Sequence, residues 1–286
     1  MKAATMLLIL LLCGAAARGA AGDQAPVVTR GEGKITVSNA RLTALISEAN
    51  GALVELRSAG RARTGPVAAG ANIYADIGVL SPGSHPYYGT KAVTNARVTV
   101  TAEAGRVIVS SEGEPALDDG KSPPEARWSY RLRYTFDDTS TVEMLAGVRT
   151  DSPRPAGRSG FLAATFDIGG VDEWFADTRD GTRWVDLGAG PGRCFEAHQT
   201  PLLRSRPRLG LLSRTIGASG SIVFDRISGS PEGALNDVIL YDGGGRRATL
   251  FLNWIESEAS IAFEAGHWYD ITCRLTIADG IPGREP

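Results

Sequence analysis

Two residue types that often carry chemistry are scarce in this 286-residue chain: three histidines and three cysteines. So few histidines leave little room for a multi-histidine metal centre, and so few cysteines exclude a disulfide-dense scaffold. There is no CxxC, no HExxH, no phosphate-binding glycine loop and no Gly-x-Ser-x-Gly, so the common redox, zinc-hydrolase, nucleotide and serine-hydrolase signatures are missing. There is no excess of positive charge either: 30 basic against 32 acidic residues give −2, which speaks against a nucleic-acid partner. Arg204, Arg206 and Arg208 cluster, but proline and leucine interrupt them, and a solvated loop competes there with an anion site.

Long apolar runs are also lacking, with one exception at the start. Lys2 precedes the run MLLILLL (Met6–Leu12), and the small residues AAARGAAG follow. This is the pattern of a secretory signal peptide, with cleavage expected after Ala21. The run is far short of the roughly 20 residues that span a bilayer, so no membrane span is expected. Cys13-Gly14 after the leucines leaves a lipoprotein as a minority reading. Removing 1–21 takes away Lys2 and Arg18 and no acids, so the net charge becomes 28 − 32 = −4. Cys194 and Cys273 then remain as one pair in an oxidising compartment. They form either a disulfide, closing a long loop, or two buried thiols.

What the chain has in quantity is turn formers, 35 glycines and 15 prolines, together with a hydrophobic share of 43%. That combination suits many short strands. Residues 22–32 are polar and read as a flexible lead; 33–286 read as one domain. Ile35 and Val37 alternate with polar neighbours, as do Leu42, Ala44 and Ile46, and Asn50-Gly51 marks a hairpin turn. The clearest strand places Trp128, Tyr130, Leu132, Tyr134 and Phe136 on one face. Arg127, Ser129, Arg131, Arg133 and Thr135 fall on the other, which is then wet or functional. After the turn DDTS, Val142, Met144, Ala146 and Val148 form the apolar face of its partner. The segment 167–207 is less regular, and further strand signals run to Ile277. The expected fold is all-β: a large antiparallel sandwich with few or no helices after the signal peptide.

The stretch VSNARLTALISEANGALVELRSAGR (37–61) and the hairpin SYRLRYTFDDTSTVEMLAGVRTDSP (129–153) resemble galactose-mutarotase-like domains. The resemblance spans Ile35 to about Phe166. It implies a β-supersandwich of the kind found in aldose epimerases, glycosidases and polysaccharide lyases. The family's catalytic histidine follows the central hairpin in a His-x-Tyr-Phe-like motif; here GRSGF (157–161) stands in that place without a histidine. HPYYG (85–89) comes before the hairpin, and CFEAHQTP, with Glu196 and Gln199, loosely echoes the family's Leu-Glu-x-Gln-like motif.

Several residues could carry sugar chemistry. His85 beside Tyr87 and Tyr88 suits proton transfer or ring stacking; the competing reading is a tyrosine-rich loop packed on the sandwich edge. On a strand, Glu196 and His198 would share a side as an acid/base pair, with Arg193 neutralising a substrate carboxylate; a solvated loop is the alternative. Arg193, His198 and Tyr87 or Tyr88 could together serve a β-elimination on a uronic-acid polymer. Trp174 and Trp184, in the acid-rich DEWFADTRDGTRW, are the tryptophans best placed to stack on sugars. His267 reads as an edge residue. No cofactor is expected; Glu173, Asp177, Asp180 and Asp186 raise calcium only weakly, since their spacing is not that of an EF-hand. Three functions follow: a secreted carbohydrate-binding protein, a carbohydrate-active lyase or epimerase relative, or a structural envelope protein. The partner in the first two is a carbohydrate.

Overall fold

The computed structural model describes residues 25–59, 71–72, 78–80, 88–89, 93–117, 128–155, 158–160, 163–167, 173–178, 181–186, 208–213, 218–227, 235–242, 247–256 and 262–279. Every regular element among them is a β-strand. In chain order these are β1 (Val27–Gly31), β2 (Lys34–Ser38), β3 (Leu42–Ser47), β4 (Leu53–Ser58), β5 (Ala71–Asn72), β6 (Gly78–Leu80), β7 (Tyr88–Gly89), β8 (Arg97–Glu103), β9 (Arg106–Gly113) and β10 (Ala116–Leu117). There follow β11 (Trp128–Phe136), β12 (Thr141–Thr150), β13 (Arg154–Pro155), β14 (Arg158–Gly160), β15 (Ala163–Asp167), β16 (Glu173–Thr178) and β17 (Gly181–Asp186). The series closes with β18 (Arg208–Ser213), β19 (Ala218–Ile227), β20 (Leu235–Asp242), β21 (Arg247–Glu256), β22 (Ala262–Phe263) and β23 (Tyr269–Asp279).

Three sheets dominate. β1–β4 form a meander in chain order. Nine strands form the long sheet, in the order β17-β16-β18-β19-β23-β12-β11-β9-β8. In the third, β14 and β15 succeed one another along one edge of β21, and β20 lies on its other edge.

The central hairpin forms as its alternation predicts. β11 pairs with β12 from Trp128↔Thr150 to Phe136↔Val142. Trp128, Tyr130, Leu132, Tyr134 and Phe136 are all buried, and so are Val142, Met144, Ala146 and Val148. The apolar residues of the first sheet meet this face: Ile35, Val37, Leu42, Ala44, Ile46, Leu53 and Leu56 are also buried. Removing each large side chain from water stabilises the sandwich by about 2 kcal/mol.

Polar pins set the relative position of the two layers. The buried Tyr134 hydroxyl accepts a hydrogen bond from the Leu53 backbone N–H at 3.2 Å. The Tyr130 and Ser111 hydroxyls both donate to the Asn50 carbonyl, at 2.9 and 3.0 Å. At the other end, the Asn39 amide donates to the carbonyls of Asp137 and Thr139, while its own oxygen accepts from the N–H groups of Arg41 and Leu42.

Three expectations need correction. The lead 22–32 contains a strand: Glu32 and Gly33, both at positive φ, turn β1 back onto β2 as a two-residue loop, the geometry that matches strand twist. At Asn50-Gly51 only Gly51 takes positive φ; the turn is longer than two residues, and Gly51 N–H bonds the Ser47 carbonyl. The segment thought irregular holds a regular hairpin, β16–β17.

Candidate functional site

His85, Tyr87, Arg193, Cys194, Glu196 and His198 lie outside the described residues. Tyr88 opens β7 and pairs with Leu117 of β10. Trp174 stands opposite Val185, and Trp184 opposite Phe175, on neighbouring rungs of the β16–β17 hairpin. Cys273 is fully buried within β23. Glu173 and Asp186 face each other in register, and Asp180 is outside the described residues. Among the described residues no group of His, Cys, Asp and Glu is arranged to hold a metal ion, and no helix is long and apolar enough to cross a membrane. His267 is exposed, its ring edge-on to Tyr269 at 4.7 Å.

A cluster of a different kind occupies the wet face of the long sheet. In register, Arg131 of β11, Gly147 of β12 and Asp270 of β23 form one rung across three strands. The outer two are two strand spacings apart, about 9.6 Å, too far for neighbours but within an arginine's reach. Arg131 crosses the middle strand and binds Asp270 with both arms: Nε donates to Oδ1 at 2.9 Å, and Nη2 to Oδ2. Gly147 makes this possible. A Cβ there would overlap Oδ1 of Asp270 and come within 3.2 Å of the Arg131 side chain. Trp268, just before β23 begins, completes the group. The guanidinium of Arg131 lies over its ring at 4.4 Å, and that of Arg149 at 4.9 Å, each such contact contributing on the order of 1 kcal/mol.

The same face extends one rung further along β11 to Arg133, which is exposed. Neither Arg133 nor Arg149 makes an ion pair with a described residue. Chemically, this arrangement can hold an anion and present planar cationic and aromatic surfaces. The phenols on the opposite face are not available as acids or bases. Burial pushes Tyr130 up to about 12, partly offset by its hydrogen bonding with Ser111, and burial raises Tyr134 further. A cleft of about 210 Å³ beside the β11–β12 turn, lined by Arg41, Asp138, Thr139 and Ser140, is below the usual size of a small-molecule site.

The polar half of β11 was legible as a wet or functional face, but the cluster on it was not. Its parts are 139 residues apart in sequence, and Trp268-x-Asp270 carries no pattern that links it to Arg131 before the strands are paired.

The fold defined by these layers is that of galactose-mutarotase-like β-supersandwiches. A TPR-domain containing protein from Parabacteroides distasonis superposes with a TM-score of 0.52 at 12% identity, over 87% of this chain and 48% of its own, so the chain spans about half of that protein. The mutarotase-type protein YeaD of Salmonella typhimurium superposes with a TM-score of 0.51 at 13% identity, over 89% of this chain and 94% of its own. At these identities the likeness is one of fold. No protein-family model matches the sequence, and no curated protein does.

Proposed function

We propose that this chain is an exported carbohydrate-binding protein that receives its ligand on the wet face of the long sheet. The observation carrying this reading is the Arg131–Asp270–Trp268–Arg149 cluster on a mutarotase-like scaffold. Carbohydrate recognition commonly combines an aromatic surface for the C–H face of a ring with charged groups that hydrogen-bond hydroxyls, and both types occur here on rigid strands. The apolar run Met6–Leu12 and the small residues after it support export with loss of 1–21. In an oxidising compartment Cys194 and Cys273 would stand either as a disulfide or as two buried thiols.

Binding ranks ahead of catalysis because the carboxylate of the described cluster, Asp270, is held in an ion pair with Arg131. The enzyme reading rests on His85, Tyr88, Arg193, Glu196 and His198. A glycan array probed with the mature protein, followed by sizing of each bound polymer, separates the readings. Retention on one glycan class with unchanged polymer length is expected. Shortened polymer with unsaturated, ultraviolet-absorbing ends would replace binding with lyase activity, and the absence of any bound glycan would leave the envelope role.

A further inference from the structure

We infer that the ligand of this face is an acidic polysaccharide, bound along a track of arginines that crosses the long sheet. The inference rests on the carbohydrate-binding reading and names the ligand class. Four successive same-face rungs each carry an arginine: Arg149 beside Ser129, Arg131 beside Gly147, Arg133 beside Leu145, and Arg274 beside Glu143. Same-face residues of a strand are about 6.8 Å apart, so the track is about 20 Å long. That suits an oligosaccharide segment better than a single sugar. Across β8, β9, β11, β12 and β23 this face carries these four arginines with Arg97 and Arg106, against the carboxylates Glu103, Glu112 (beside Arg131), Glu143 and Asp270, giving 6 − 4 = +2 on a chain whose total is −2. A positive stripe on a net-negative protein selects a polyanion locally while the rest of the surface repels it.

The stripe has a fixed part and a receptive part. Asp270 and Trp268 hold the Arg131 guanidinium in place. Arg149 is positioned by Trp268 and keeps its hydrogen-bonding edge, and Arg133 is exposed. A guanidinium already oriented loses less freedom on binding a carboxylate or sulfate. One arginine per rung of about 6.8 Å suits a polymer with one anionic group per sugar or disaccharide, and the net negative charge of the whole chain disfavours the dense charge of duplex DNA.

The test is binding of the mature chain to polygalacturonate (carboxylate), heparin (sulfate), neutral galactan and duplex DNA, with wild type and the double variant R133A/R149A. Both substitutions are on the wet face, so circular dichroism should be unchanged, and the unfolding midpoint should fall only by the small amount that the lost Arg149–Trp268 contact supplies. Wild type should retain polygalacturonate or heparin, whichever matches the anion, with affinity that falls as salt rises and drops at least about tenfold in the double variant. Binding to galactan alone, indifferent to the two arginines, would overturn the acidic-ligand inference and leave the carbohydrate-binding reading intact. Equal or stronger binding to DNA would also overturn it. Failure to bind any of the glycans would remove both.

Discussion

Two glycines, on opposite faces of the same sheet system, mark close approaches of different worth. Gly51 lies where the β3–β4 turn presses onto β9, and a Cβ there would run into the side chain of Ser111. Gly147 lies under the bridge from Arg131 to Asp270, and a Cβ there would overlap a carboxylate oxygen. The obstacle at Gly51 sits on a core strand next to the buried Asn50–Tyr130–Ser111 knot, so nothing nearby can yield. At Gly147 the obstacle is the end of a half-exposed side chain that can swing into water. Similar overlaps therefore cost fold stability on one face and site geometry on the other.

That contrast can be broken most strongly at Gly51. Gly51→Ala adds a Cβ at positive φ and forces the turn off Ser111; strain and overpacking together should cost about 3–5 kcal/mol. A denaturant midpoint within the range of ordinary surface variants would show that the knot is looser than its geometry indicates. Next in size is the response to alkali. Tyr130 and Tyr134 both have raised folded-state values from burial. Their contribution is fully present below the ordinary tyrosine value of about 10 and is lost as pH rises through the folded-state values, because the unfolded chain releases the protons first. The melting temperature should hold steady to about pH 10 and fall above it, and Tyr130→Phe should flatten that fall. A fall of the same steepness in the variant would remove Tyr130 from the account. The smallest effect is expected on the wet face. Gly147→Ala should cost about 1–2 kcal/mol, from the ion pair and the cation–π contact it disrupts, and it should displace Arg131 from Trp268 and change the indole fluorescence. A stability loss comparable to that of Gly51→Ala would erase the distinction.

The two faces also differ in how far the sequence reveals them. Alternation from Trp128 to Phe136 and from Val142 to Val148 identified the buried face residue by residue, because burial on one side imposes a period of two. It also marked Arg131 and Arg133 as facing outward. Alternation is blind to the neighbour two strands away: nothing local to Arg131 points to Asp270, and nothing local to Gly147 says that it is small so that the other two can meet. Short turns misled in the opposite direction. Residues 22–32 look polar and unstructured, yet β1 (Val27–Gly31) forms there, since strand pairing through Glu32-Gly33 outweighs a weak local signal. The hairpin β16–β17 was hidden in the same way by its many acidic residues.

By itself, the amino-acid order determined that the chain builds layered antiparallel sheets, which strands carry the core, and which side of the central hairpin stays wet. These are consequences of side-chain period and turn chemistry over a few residues. Only the tertiary structure decided which distant residues share a rung, and so placed Arg131, Gly147, Trp268 and Asp270 in one cluster. The reason is that register across three strands depends on the summed packing of both layers, and no stretch of sequence contains that sum.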